Sequence, residues 1–140
     1  MSGIKAAAIA AAGLLVMTIS ACANGPRLAV PLQSASGKQL KIWTVTASDE
    51  GDTVLVSGMV RRPALSVGPI PGHLHVVAHF ADGRPEVVAD THWGSIPVRG
   101  SRSGRYSVRL PIADAGAVAN IIVSYVGSAD MVDAPSGTNP

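Results

Sequence analysis

All four histidines of this 140-residue chain fall between residues 73 and 92, at His73, His75, His79 and His92. In an extended strand alternate side chains share a face. A strand over 73–81 therefore sets His73, His75 and His79 on one side and Leu74, Val76, Ala78 and Phe80 on the other. The segment 84–93 repeats the alternation, with Pro85, Val87, Ala89, Thr91 and Trp93 on its apolar face and Glu86, Val88, Asp90 and His92 opposite. Asp82-Gly83 between them is a hairpin turn signal. Closure there predicts His79 against Glu86, His75 against Asp90 and His73 against His92. On the apolar face Leu74 then meets Thr91, Val76 meets Ala89 and Ala78 meets Val87. A slip of one residue would turn the histidines toward the apolar set, so both faces specify one register.

Such a patch has two readings. In one, His73, His75, Asp90 and His92 form a metal site. Directly opposed Cβ atoms lie about 4.5–5.5 Å apart, close enough for imidazoles to converge on an ion about 2 Å from each nitrogen. Three nitrogens and a carboxylate suit zinc or copper(II). In the other reading, the hairpin face is simply solvated, and each cross-strand His–carboxylate pair contributes about 0.2–1 kcal/mol. The His-x-His strand is similar to that of copper–zinc superoxide dismutases, which are also sandwiches. The second metal motifs and the disulfide cysteines of that family are missing here, which excludes the assignment.

Other chemistry is sparsely signalled. Arg99, Arg102 and Arg105 sit in a Gly- and Ser-containing loop that could touch anionic headgroups or acidic glycans. Pro63 to Pro71 reads as a stiff connector between strands. There is no glycine-rich phosphate loop and no G-x-S-x-G nucleophile elbow, and the nine acidic residues are scattered, mostly in turns. Eleven basic against nine acidic residues leave a formal charge of +2. That near-balance argues against nucleic acid as a partner.

The elements that must position these residues read as strands. Few charges, many Val and Thr, and regularly spaced Gly and Pro favour an all-β fold. A first pair spans 39–47 and 53–62, with Val54, Val56 and Val60 on one face. Pairing Ser48 with Thr53 would place the Trp43 ring over Gly58. The histidine hairpin is the second pair. A last pair joins 105–110, with Tyr106, Val108 and Leu110 on one face, to 120–127. The connector 111–119 has room for one helical turn. Six or seven short strands predict a small two-layer antiparallel β-sandwich. The stretch Gly104-Arg105-Tyr106-Ser107-Val108-Arg109-Leu110-Pro111, with Val56-Ser57-Gly58 before it and Ile122-Val123-Ser124-Tyr125 after it, resembles transthyretin-like and carboxypeptidase-regulatory-like domains. That resemblance implies an immunoglobulin- or transthyretin-like sandwich of non-catalytic type.

Ahead of the domain, Lys5 is followed by an almost unbroken apolar run from Ala6 to Ile19 and then by Ser20-Ala21-Cys22. A positive start, an apolar stretch and small residues at the cut site form a secretory signal. The run is short for a hydrocarbon core that needs about 20 residues. Ile19-Ser20-Ala21-Cys22 resembles the lipobox of bacterial lipoprotein precursors, with Ile19 in place of the usual Leu. The resemblance implies cleavage before Cys22, a diacylglycerol on its thiol, and an acyl group such as palmitate on the new amino terminus. Ala23, where an aspartate would favour the inner membrane, favours the outer membrane. Cys22 is the sole cysteine, so the domain has neither an internal disulfide nor thiol chemistry.

These readings predict a signal peptide over 1–21, a lipidated flexible tether over 22–37, a β-sandwich over 38–128 and a disordered tail over 129–140. The expected protein is a lipid-anchored lipoprotein facing the periplasm or cell surface. It acts as a non-catalytic binding or assembly module for an envelope protein or glycan, or alternatively as a periplasmic zinc- or copper-binding lipoprotein.

Overall fold

A computed structural model describes residues 25–127. The leader, Cys22 and the tail from 128 onward lie outside the described residues. Seven strands form two sheets: β1 (Leu32–Ala35), β2 (Lys41–Asp49), β3 (Val54–Arg61), β4 (His73–Phe80), β5 (Val87–Thr91), β6 (Ser103–Leu110) and β7 (Val118–Val126). One sheet has the order β1-β7-β4-β5 and the other β2-β3-β6. All pairings are antiparallel except β1 with β7. The fold is thus an all-β two-layer sandwich, as alternation along the chain predicts.

The core lies between the inner faces. Leu40, Ile42, Val54, Val56, Val60, Tyr106 and Leu110 from one sheet meet Leu74, Val76, Ala78, Ile121 and Val123 from the other. Burying a Val, Leu or Ile side chain contributes about 1.5–3 kcal/mol, so this alternating set supplies the driving force for stacking the sheets.

Three expectations are corrected. In the first hairpin Ser48 pairs with Leu55 and Asp49 with Val54, two residues from the expected register. The turn causes this: Asp49 Oδ1 accepts the Gly51 amide at 2.9 Å, and the Glu50 amide donates to the Thr53 carbonyl at 2.9 Å. A shift by two residues leaves the inward and outward sets unchanged. Val45 therefore faces Gly58, and an irregularity between Ile42 and Thr44 turns Trp43 outward, where it is 55% exposed. Tyr106, not Trp43, covers the bare glycine; its hydroxyl donates to the Thr44 carbonyl at 2.7 Å.

The second correction concerns the last pair. β6 pairs with β3, and β7 pairs with β4 and β1, so the two strands lie in different sheets. Pro111 cannot donate to a ladder. The connector crosses the end of the core, burying Ile112 and Ala115, with a single 3-10 turn at Ala115–Ala117. The expected helical turn is present; the expected strand pairing is not.

The third concerns 25–37, expected within a flexible tether with room for a short edge strand at Leu28 to Leu32. An edge strand is present, but at Leu32–Ala35, and the segment belongs to the fold. The Leu28 amide donates to the Ala47 carbonyl and the Asp49 amide to the Pro26 carbonyl, both at 2.9 Å, lining the free side of β2. The chain then crosses to the other sheet and becomes β1 beside β7. At the opposite side, residues after β5 lean onto β6: Trp93 bridges Tyr106, and the Gly94 amide donates to the Arg105 carbonyl at 2.8 Å. Both gaps between the sheets are covered, which leaves fewer unpaired backbone groups exposed.

Candidate functional site

The histidine hairpin has the register read from its turn and alternation. Leu74 pairs with Thr91, His75 with Asp90, Val76 with Ala89 and Ala78 with Val87. Gly83 takes a positive φ of 78°, the conformation the Asp-Gly turn requires. Strand β7 lies on the other side of β4, with Ser124 beside His75 and Asn120 beside His79. The histidines thus stand on the outer face of a four-stranded sheet.

His75 Nδ1 lies 2.7 Å from Asp90 Oδ1, and His73 Nε2 lies 3.6 Å from the same oxygen. His79 Nδ1 is 3.4 Å from Glu86 Oε2. One ligand atom each from His73, His75 and Asp90 falls within 4.8 Å of the others. Ligands on a tetrahedral ion at about 2.0–2.1 Å must approach one another more closely than that. The Asp90 oxygen already lies within 3.6 Å of both rings, so gathering the set around an ion requires the His73 and His75 rings to turn toward each other. These donors, two imidazoles and one carboxylate, fit zinc or copper(II) and leave a coordination position open to solvent.

His92 does not join this group. The β4–β5 ladder ends at Thr91, and the hydrogen bond of Gly94 to Arg105 pulls the following residues toward β6. The His92 ring lies 6.4 Å from that of His73. It lines a separate open cleft of about 530 Å³ with Thr44, Thr46, Ser57, Arg105 and Ser107. Hydroxyl groups dominate its polar lining, and two of them, on Thr46 and Ser57, bond each other at 3.1 Å.

The basic loop is also divided. Arg105 lines the hydroxyl cleft, Arg99 is exposed and lines neither cleft, and Arg102 belongs to a second cavity at one end of the sandwich. There it meets Lys41, Arg61 and Arg62. Sequence reading misses the last three because they are distant from Arg102 along the chain. The adjacent pair Arg61-Arg62, just before a proline, was the available signal.

Three other groups have shifted titration. Side-chain hydrogen bonding from Arg84 holds the Asp82 carboxyl below the usual carboxylate range, and Asp82 in turn raises Arg84. The Arg84 guanidinium also lies over the Phe80 ring, 4.9 Å from its centroid. Burial pushes the Tyr106 phenol upward.

No family model, curated protein or solved structure matches this chain.

Proposed function

We propose that the chain is a lipid-anchored envelope lipoprotein, held in the outer membrane by Cys22, whose sandwich is a non-catalytic binding or assembly module for an envelope protein or glycan. The observation that carries this reading is the sequence from Lys5 to Cys22, a short apolar leader ending in Ile19-Ser20-Ala21-Cys22. Two acyl signals give durable attachment without a spanning helix. The close sequel supports it: Pro26, four residues past Cys22, already bonds β2. An anchored domain would thus sit against its membrane with little slack. Open clefts on sheet surfaces suit recognition of a partner. The sequence from Gly104 to Pro111 supports the transthyretin-like subtype. Mass spectrometry of membrane-extracted protein tests the anchor. The expected mass is that of Cys22–Pro140 with a diacylglycerol and an acyl chain; an uncleaved chain with an unmodified Cys22 refutes it.

A second reading, a metal-binding lipoprotein, is favoured by one observation, the convergence of His73, His75 and Asp90. Titration of the full chain with zinc and with copper(II) tests it. Saturable binding should weaken strongly in His73→Ala and His75→Ala and little in His92→Ala. Equal affinity across all variants refutes a site built on these ligands.

A further inference from the structure

We infer that the cavity lined by Lys41, Arg61, Arg62 and Arg102 binds a phosphoryl group. The cavity measures about 380 Å³ and is completed by Ser36, Gly37, Pro63 and Ala64. That volume lies within the range of small-molecule sites, about 300–1,000 Å³. It holds a phosphoryl group with a glycerol- or sugar-sized body attached.

The fold assembles this concentration of charge from three distant segments. Lys41 and Arg61 are direct partners in the β2–β3 ladder, and Arg61 also pairs with Ser103 of β6. The Arg62 amide donates to the Arg102 carbonyl at 2.8 Å, bringing Arg102 to the same rim. Like charges directly opposite in a ladder are destabilising, so the arrangement calls for a compensating anion. Among the described residues no carboxylate supplies it. Five of the seven described carboxylates are engaged elsewhere: Asp90 with His73 and His75, Glu86 with His79, Asp82 and Asp114 with Arg84, and Glu50 with Arg109; Asp49 and Asp52 lie at the other end of β2 from Lys41.

Arg62 is only 6% exposed and is held rigidly. Its Nη1 is held by the Gly68 carbonyl at 2.6 Å, with Ser66 Oγ at 3.5 Å, which fixes the side chain of this cavity-lining residue. The Cζ of Arg61 lies 5.7 Å from the centroid of the Trp43 ring. An oxyanion presenting several oxygens to the cavity accepts hydrogen bonds from its cationic side chains and neutralises their charge together. Four cations favour a phosphoryl group, which carries more negative charge and more acceptor oxygens than a carboxylate.

The inference stands on the folded domain and holds whether or not Cys22 carries lipid. Calorimetric titration of the full chain with inorganic phosphate and with glycerol 3-phosphate tests it, beside co-sedimentation with phosphatidylglycerol vesicles. Wild-type protein should bind phosphate saturably, and Lys41→Ala and Arg102→Ala should each weaken binding about tenfold. Lys41 is exposed, so its variant keeps the test valid where an Arg62 variant fails to fold. Arg99→Ala, outside the cavity, should bind as wild type does. Vesicle binding with the same dependence on Lys41 and Arg102 identifies a lipid headgroup as the source. Binding of the soluble phosphates alone identifies a free phosphomonoester. Absence of saturable binding up to about 10 mM phosphate, or equal affinity in Lys41→Ala and Arg102→Ala, overturns the inference. So does vesicle binding that Arg99→Ala weakens as much as Arg102→Ala does.

Discussion

Replacing Tyr106 with phenylalanine removes one oxygen from the centre of the β2-β3-β6 sheet and tests how that sheet is locked. The ring is 3% exposed, covers Gly58, and donates its hydroxyl to the Thr44 carbonyl at 2.7 Å. Loss of this bond should cost about 1–2 kcal/mol, the net worth of a hydrogen bond plus part of the desolvation of its abandoned acceptor. At roughly 4–8 °C per kcal/mol for a domain near 100 residues, the melting temperature should fall by about 4–16 °C.

The same substitution should also change the response to alkali. Burial raises the Tyr106 phenol, so the folded chain keeps this proton where an unfolded tyrosine has released it. In that window the native state binds more protons, and rising pH favours unfolding. The contribution of Tyr106 is therefore complete below about pH 10 and falls by up to about 1.4 kcal/mol for each pH unit above it. Wild type should exceed Tyr106→Phe in stability at pH 8, and the gap should close near pH 11. Urea unfolding followed by circular dichroism at both pH values measures it. A gap that does not change with pH, or no gap at pH 8, would refute the assignment.

Two other expectations follow from side-chain geometry. Gly58→Ala places a methyl group 1.9 Å from the Thr44 carbonyl oxygen and 2.6 Å from the Tyr106 hydroxyl. Denaturant titration should show a loss of more than about 2 kcal/mol, unrelieved in the double variant with Tyr106→Phe because the nearer obstacle is backbone. In Arg84→Ala, NMR titration should show the Asp82 carboxyl returning upward toward the ordinary carboxylate range. The ion pair's contribution to the native state, present above the unfolded carboxyl's range, is lost as pH falls through the depressed folded value. An unmoved Asp82 titration would show that another group holds it.

The histidine register was legible because a short turn and two alternating faces constrain the same pairing. The β2–β3 register was less legible: its length was readable, but an Asp49 side chain capping Gly51 decides where the ladder closes. The partnership of β6 and β7 was hidden because neighbours along the chain are not neighbours in the sheet once Pro111 sends the connector across the core. His92 failed to join His73 and His75 for a similar reason. Its strand deserts one sheet for the other, and alternation carries no warning of that. The basic cavity was least readable, since its cations come from positions 41, 61–62 and 102 and meet only through cross-strand pairing.

The segment that lines β2 and then becomes β1 also sets how the domain bears load. The chain enters beside Asp49, while β1 and β7 both run toward the pole that holds Lys41 and Arg62. Those poles are separated by roughly 26 Å, the rise of the eight steps along β2. Tension applied upstream of Gly25 against a ligand held at the far pole pulls β1 along its own axis. The parallel bonds to β7 are then strained together in shear rather than opened one at a time. A pull on the chain's entry point thus meets a clamp, and the far end of the sandwich can be held taut.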